Sequence, residues 1–422
     1  MVSVCFYFHV HQPHRLQNFT LFDIGSNKSY VDEKKNKEII RKVSKKCYLP
    51  TNNLLLKLID KHNGKFKVSF SITGTVVEQL EKYEPSVLES FKKLANTGCV
   101  EFIGETYNHS LAYLYSKDEF DFQVNKHKEM IKKHFNQEPK VFRNTELIFN
   151  NELSKYVENM GYKAILAEGA DHILNGRTPN QIYRTVFADK IKVLLKNYKL
   201  SDDIAFRFSN KGWVEHPLTA EKHASWIDRI NGGGEVVNLF MDYETFGEHQ
   251  WEDTGIFNFL EQLPAEILKN PDNNFMTPSE VADAYEERGK IDVHNYVSWA
   301  DIERDISAWL GNNIQHSAIK ELYALEPYVK ATGDENLIET WRNLTTSDHF
   351  YYMCTKYFQD GDVHKYFSPY ESPYDAFIIF MNILNDLSLK IKNKLGTNTD
   401  KKEISEILQG VSDKPSMLLK HA

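Results

Sequence analysis

The hydrophobic positions of this chain fall into two alternating patterns. Short continuous apolar runs, such as Val236, Val237, Leu239, Phe240 and Met241, leave almost no polar face. That suits a parallel strand covered on both sides. Such runs predict strands over 2–9, 66–73, 99–104, 141–146, 164–167, 191–195 and 236–241. Between them, apolar residues recur at helical spacing and predict helices over 51–62, 85–96, 116–135, 151–160, 221–230 and 254–269. Local signals agree: Thr51 reads as an N-cap, Ser116 with Glu119 and Thr277 with Glu280 as capping boxes, and Gly98 and Gly161 as stops. About seven strands alternating with helices is the signature of βα units and a parallel sheet or barrel. After about residue 301 the strand signal fades, and 302–310, 318–330, 336–344 and 376–395 carry helical spacing. The pattern therefore predicts an α/β region over 1–295 and a helical region over 296–422. The lysine-rich stretch 28–46 reads as a solvated helix or loop on one wall.

Composition narrows the class. A chain of 422 residues exceeds what one hydrophobic core usually serves. A net charge of −8 argues against nucleic acid or an anionic membrane as the main partner. The cysteines Cys5, Cys47, Cys99 and Cys354 form no CxxC pair and read as buried thiols of a reduced compartment. The N-terminus lacks a basic leader, and no apolar stretch approaches the ~20 residues of a membrane helix. The expectation is a soluble, cytoplasmic protein.

The candidate chemistry lies at the strand ends. The first predicted strand delivers His9 and His11, the third Glu105 and then His109, the fourth Arg143 and Glu146, and the seventh Asp242 and Glu244. Glu248, His249 and Trp251 follow the seventh at once. In a parallel barrel, catalytic groups gather at the C-terminal ends of different strands. Glu146 and Asp242 are two separated carboxylates of the kind glycoside hydrolysis needs. A metal reading competes, because His9 and His11 are two apart on a strand and can point at one ion. Barrel metal sites also need later histidines at strand ends, and His216 and His223 are not so placed. No metal and no cofactor is expected.

Four stretches, FHVHQPH at 8–14, GETYNHSL at 104–111, FRNTEL at 142–147 and FMDYETFGEH at 240–249, resemble ordered motifs of glycoside hydrolase family 57. A fifth, LTTSDHFYYM at 344–353, resembles the last motif of that family, and VSWADIERDISAWLGN at 297–312 is similar to its α-amylase-like members. The resemblance implies an incomplete, seven-stranded (β/α) barrel with a helical C-terminal domain and a retaining mechanism on α-glucans such as starch, glycogen or maltooligosaccharides. It implies Glu146 as nucleophile and Asp242 as general acid/base, with His11, Glu105, Glu244 and Asp348 lining the sugar site. His109, His249, Trp299, Asp301 and Trp309 join them as substrate-contact candidates. Asn108 departs from the pattern, standing where a second histidine is expected beside His109. Arg143 either holds the Glu146 carboxyl ionised or forms a surface ion pair. Glu244 is expected to raise the proton affinity of Asp242 as a like charge. Transfer to another sugar, as in a 4-α-glucanotransferase or branching enzyme, and glucan binding without catalysis are the alternatives.

Overall fold

The computed structural model describes residues 1–356 and 368–398. Seven parallel strands form an incomplete barrel: β1 (Val2–Val10), β2 (Val68–Ile72), β3 (Val100–Phe102), β4 (Val141–Arg143), β5 (Ala164–Glu168), β6 (Lys192–Lys196) and β7 (Val236–Asp242). Every residue of β1 is buried, as its largely apolar sequence requires, and the two polar residues within it, Ser3 and His9, are buried too. Its two faces differ in what they meet. Val2, Val4, Phe6, Phe8 and Val10 pack in the large cluster shared with the surrounding helices, whereas Cys5 and Tyr7 join Leu166, Leu194 and Phe240 in a second cluster. The two-residue period of a strand sets this division, and it places His9 on the face of Tyr7.

The spatial order is β7-β1-β2-β3-β4-β5-β6. β1 pairs with β2 on one side and β7 on the other, so His9 stands level with both Ser71 and Asp242. β3 meets β4 through a single bridge at Gly104, whose N–H donates to Val141 O while its carbonyl accepts from Arg143 N–H. A Cβ at Gly104 would lie 2.7 Å from Tyr162 Oη, so this join needs glycine. β6 and β7 are linked by Asn238, whose Nδ2 donates to Leu195 O and whose carbonyl accepts from Asn197 N–H. A side chain does here what a ladder does elsewhere, and the barrel stays open.

Two short pairings escaped the sequence pattern. Asn273–Phe275 adds to the start of β1, and Arg184–Thr185 pairs with Lys290–Ile291. Two or three residues are too few to show a period.

Several expected elements shift. Thr51 is not an N-cap: Glu33–Val43 runs through a π-helical turn at Ser44–Tyr48 into Leu49–Lys61, and Thr51 Oγ1 donates to Cys47 O inside that continuous helix. The lysine-rich stretch therefore includes a helix, whose Asn36, Ile40 and Val43 are buried. The expected helix over 302–310 is only Ser307–Leu310, because Asp301 and Arg304 take left-handed backbone conformations. The stretch 318–330 is two helices, Asn313–Ala324 and Glu326–Ala331, divided where Pro327 cannot donate a backbone hydrogen bond. The Thr277 capping box is present and opens Pro278–Ala284.

The chain divides into two compact units. The first comprises Met1–Pro13, Lys34–Tyr113 and Lys117–Ile306, and the second His14–Glu33, Leu114–Ser116 and the chain from Ser307 onward. The division falls later than the expected 295/296 boundary because 297–306 is bonded to the barrel, beginning with the Val297–Phe149 bridge. Within the second unit, Asp386 of the long helix Pro373–Asn398 accepts from Gly25 N–H and Tyr30 O–H, which explains why 14–33 joins it. Among the described residues, no helix is long and apolar enough to cross a membrane. The four cysteines are buried, and none forms a disulfide among the described residues.

Candidate active site

The register that aligns His9 with Ser71 and Asp242 starts the site. His9 Nδ1 lies 2.9 Å from Ser71 Oγ, and His11 Nδ1 lies 2.9 Å from Thr73 Oγ1. Both hydroxyls sit at the end of β2, so two strand ends orient two imidazoles. His109 completes a stack of rings, its centroid 4.7 Å from His9 and 4.1 Å from His11. It reaches that place from a backbone φ of +52°.

His109 is the hinge of the charge system. Its Nδ1 lies 3.4 Å from Glu105 Oε2 and its Nε2 3.0 Å from Glu146 Oε1. Burial opposes its charge, but hydrogen bonds to the two carboxylates and the charge of Glu146 outweigh that and push its pKa up to about 9. At neutral pH it is therefore an imidazolium donating to both. Glu105 is wholly buried. Burial alone would raise its pKa, yet the His109 hydrogen bond and the Arg143 charge hold it below the usual range.

Arg143 is not the surface ion pair that was one of its two readings. It is fully buried, its ion pair is with Glu105 at 3.8 Å, and its guanidinium lies 4.9 Å from the Trp299 ring. Among the described residues, none of its three nitrogens has a hydrogen-bond partner. Buried guanidinium donors are costly to leave unmet.

Glu146 follows β4 on a left-handed turn, with φ +58° at Glu146 and +52° at Leu147. Such a conformation costs a non-glycine residue on the order of 1–3 kcal/mol and concentrates at functional sites. The turn projects a carboxylate whose two oxygens are both engaged. Oε1 faces His109, and Oε2 accepts the Trp299 indole N–H at 2.8 Å. Its side chain is 18% exposed, so solvent or a ligand reaches it.

Asp242 is the last residue of β7. Burial first, and the charge of Glu146 second, push its pKa up to about 6, against the cations Arg143, Lys196 and His109. Two positions on, Glu244 would share a strand face with Asp242 if the chain stayed extended. Instead the strand ends and Tyr243–Thr245 forms a 3-10 turn. Glu244 nevertheless lies in the same field: burial and then the charge of Asp242 push it up to about 8. Its Oε1 accepts from Tyr48 O–H and from Gln12 Nε2.

The other candidates divide. Trp299 and Asp301 occupy the loop over Glu146. His249 donates its backbone N–H to Glu244 O, and burial pushes its imidazole down to about 4. Trp251 is 57% exposed, with Lys46 Nζ 5.7 Å from its ring. Trp309 and Asp348 belong to the second unit, where Trp309 is buried with its ring 6.1 Å from Tyr351, and Asp348 opens the helix Ser347–Tyr351.

Two participants were not found from sequence. Tyr48 reaches Glu244 because the π-helical turn rotates the helix, which apolar spacing does not reveal. Lys196 is buried at the end of β6, and its signal was present: a lysine closing an apolar strand.

His9, Glu105 and His109 could hold a metal ion, since their donor atoms lie within 4.8 Å of one another. An ion there would compete with the His109 proton and with Arg143 for Glu105. The arrangement without an ion already divides the carboxylates: Glu146 meets His109 and the Trp299 indole N–H, whereas burial and the charge of Glu146 make Asp242 favour its proton. That is the division of labour required for general acid and nucleophilic chemistry on one bond.

Comparison with known proteins bears on the family and the fold. Residues 5–294 match the family model described as glycosyl hydrolase family 57. The chain is 46% identical over 408 residues to the "Putative alpha-amylase" of Methanocaldococcus jannaschii, covering 93% of this chain and 85% of that one. Among solved structures, the family 57-type branching enzyme of Pyrococcus horikoshii aligns with a TM-score of 0.66 at 14% identity, covering 97% of this chain and 94% of the other. An α-amylase of Thermotoga maritima aligns with a TM-score of 0.60 at 13% identity, covering 96% of each. At such identities these two structures speak for the fold alone.

Proposed function

The chain belongs to glycosyl hydrolase family 57, and from that membership we propose that it is a retaining hydrolase of α-1,4-glucans. The observation that supports this is the pairing of Glu146 with Asp242. Glu146 has an oxygen on each of two donors, His109 and Trp299, while its charge helps raise Asp242 to about 6. Asp242 in its acid form protonates the glycosidic oxygen as Glu146 attacks the anomeric carbon, giving a covalent glycosyl-enzyme. Once Glu146 is esterified its charge is gone, which lowers the proton affinity of Asp242. As a carboxylate, Asp242 then takes a proton from the water that releases the sugar.

Glu105 acts through His109, because it is wholly buried. His11, Glu244, His249, Trp299, Asp301 and Asp348 are proposed to bind sugar hydroxyls or faces. Glucan as substrate rests on the α-amylase name of the relative and on the motif resemblance.

Transfer to a sugar acceptor is the second reading, since proteins with this fold include one named a branching enzyme. Incubation with maltoheptaose separates the two. Shorter products alone support hydrolysis, products both longer and shorter than the donor support transfer, and an unchanged donor refutes both.

A further inference from the structure

Apart from the carboxylate pair, a second compact set of charges comprises Glu168, Lys196, Asp202 and Arg304, the last two partly exposed. Glu168 ends β5 and Lys196 ends β6, and both are almost wholly buried. Asp202 lies on the helix Tyr198–Ala205. Lys196 Nζ donates to Asp202 Oδ1 at 2.9 Å and lies 3.6 Å from Glu168 Oε2. Arg304 brings the second cation: Nη1 is 2.9 Å from Glu168 Oε2, Nη2 is 3.7 Å from Asp202 Oδ2, and the guanidinium covers the Tyr198 ring at 4.0 Å. Two cations balance two carboxylates, and charges as buried as Glu168 and Lys196 persist only when so paired.

Arg304 is the member that does not come from a barrel strand or its helix. It lies on the loop 297–306, which starts at the Val297–Phe149 bridge and folds back on itself. Ser298 N–H donates to Arg304 O at 3.0 Å, and Ser298 Oγ donates to Asp305 O at 2.6 Å. Asp301 and Arg304 turn the chain with φ of +56° and +52°, although neither is glycine. Inside this turn is Trp299. Its backbone N–H donates to Glu146 O at 3.3 Å, and its indole N–H to Glu146 Oε2 at 2.8 Å. Two cations lie near the indole, Arg143 at 4.9 Å and Lys196 at 5.7 Å from its ring. A strained loop of non-glycine residues keeps such a shape only when its surroundings over-determine it.

We propose that Arg304 is a positioning residue: paired with Glu168 and Asp202, it fixes the 297–306 loop, and through Trp299 it fixes one oxygen of the Glu146 carboxylate. Its effect on turnover rests on the reading of Glu146 as nucleophile; its effect on Trp299 does not. Arg304 touches no sugar. It acts at a distance because a displacement of about 1 Å at the indole would lengthen the Glu146 hydrogen bond beyond useful range.

The test uses the full chain with ¹⁵N-labelled tryptophan. The Trp299 indole N–H resonance is assigned by its loss in Trp299→Phe. In Arg304→Met that resonance is expected to move upfield and exchange faster with solvent, and kcat/KM on maltoheptaose to fall at least tenfold. Arg304→Lys, which keeps the charge but not the fork, should lie between Arg304→Met and wild type on both measures. If Arg304→Met does not fold, Asp202→Asn serves, since it loosens Arg304 while leaving Glu168 paired; a smaller shift in the same direction is expected. An indole resonance unmoved in a folded variant overturns the proposal whatever the activity. A moved resonance with unchanged turnover upholds the anchoring and refutes instead the assignment of Glu146.

Discussion

Replacing Asp242 by asparagine removes the titrating proton while keeping the side chain's size, and its consequences run in opposite directions for stability and for rate. In the folded protein the Asp242 carboxyl is raised from 3.8 to about 6, first by burial and then by the charge of Glu146. A rise of roughly two units corresponds to about 3 kcal/mol. The sign follows from linkage. Below pH 4 the carboxyl is protonated folded or unfolded, and the group costs nothing. Between 4 and 6 the folded state holds a proton that the unfolded state has lost, so stability falls as pH rises. Above 6 the full cost of about 3 kcal/mol remains. Asparagine has no such cost. The Tm of Asp242→Asn relative to wild type should therefore climb by a few degrees from pH 4 to pH 8. Rate moves the other way. Wild-type kcat/KM on maltoheptaose should fall above pH 6, by about a hundredfold at pH 8, as the acid form disappears. Asp242→Asn should lose that limb and on the order of 10²–10⁴ in rate. A 2,4-dinitrophenyl α-maltooligoside, whose leaving group needs no proton, should lose far less in its first step. A Tm difference that does not grow with pH, or equal losses on both substrates, would refute the assignment of Asp242.

Three further outcomes are expected. Glu146→Ala should abolish turnover, and azide should partly restore it on an activated donor, giving a glycosyl azide of inverted configuration; a wild-type first product of inverted configuration would exclude the double displacement. Tyr48→Phe removes the O–H that donates to Glu244 and leaves that buried carboxyl short of a partner. The loss should be about 1–3 kcal/mol in unfolding free energy, and an unchanged denaturant midpoint would show that the bond contributes nothing. Dialysis against a chelator should leave the rate intact, since His109 is held protonated between two carboxylates; a rate restored only by added zinc would assign His9, Glu105 and His109 to a metal instead.

Much of the fold is legible in the chain itself. Strands buried on both faces are mostly apolar, so the barrel strands stand out as short apolar-rich runs, and charged residues or histidines follow several of them at once. Glu105, Glu146 and Asp242 were visible for that reason, and the motif resemblance assigned their roles. What only the tertiary structure decides is how those ends act on one another. Trp299 donates to Glu146 across 153 positions of sequence, and Tyr48 to Glu244 across 196. Arg143 looked like a partner of its near neighbour Glu146, yet the barrel turns it toward Glu105. The helical spacing read into 302–310 gave way because Arg304 is drawn to Glu168 and Asp202, and the pairing of buried charges outweighs the weak preference of a few residues for a helix. Periodicity reports which residues are buried. It does not report which charges meet, because that depends on closing the barrel, and the proton affinities of Asp242, Glu244 and His109 depend on those meetings.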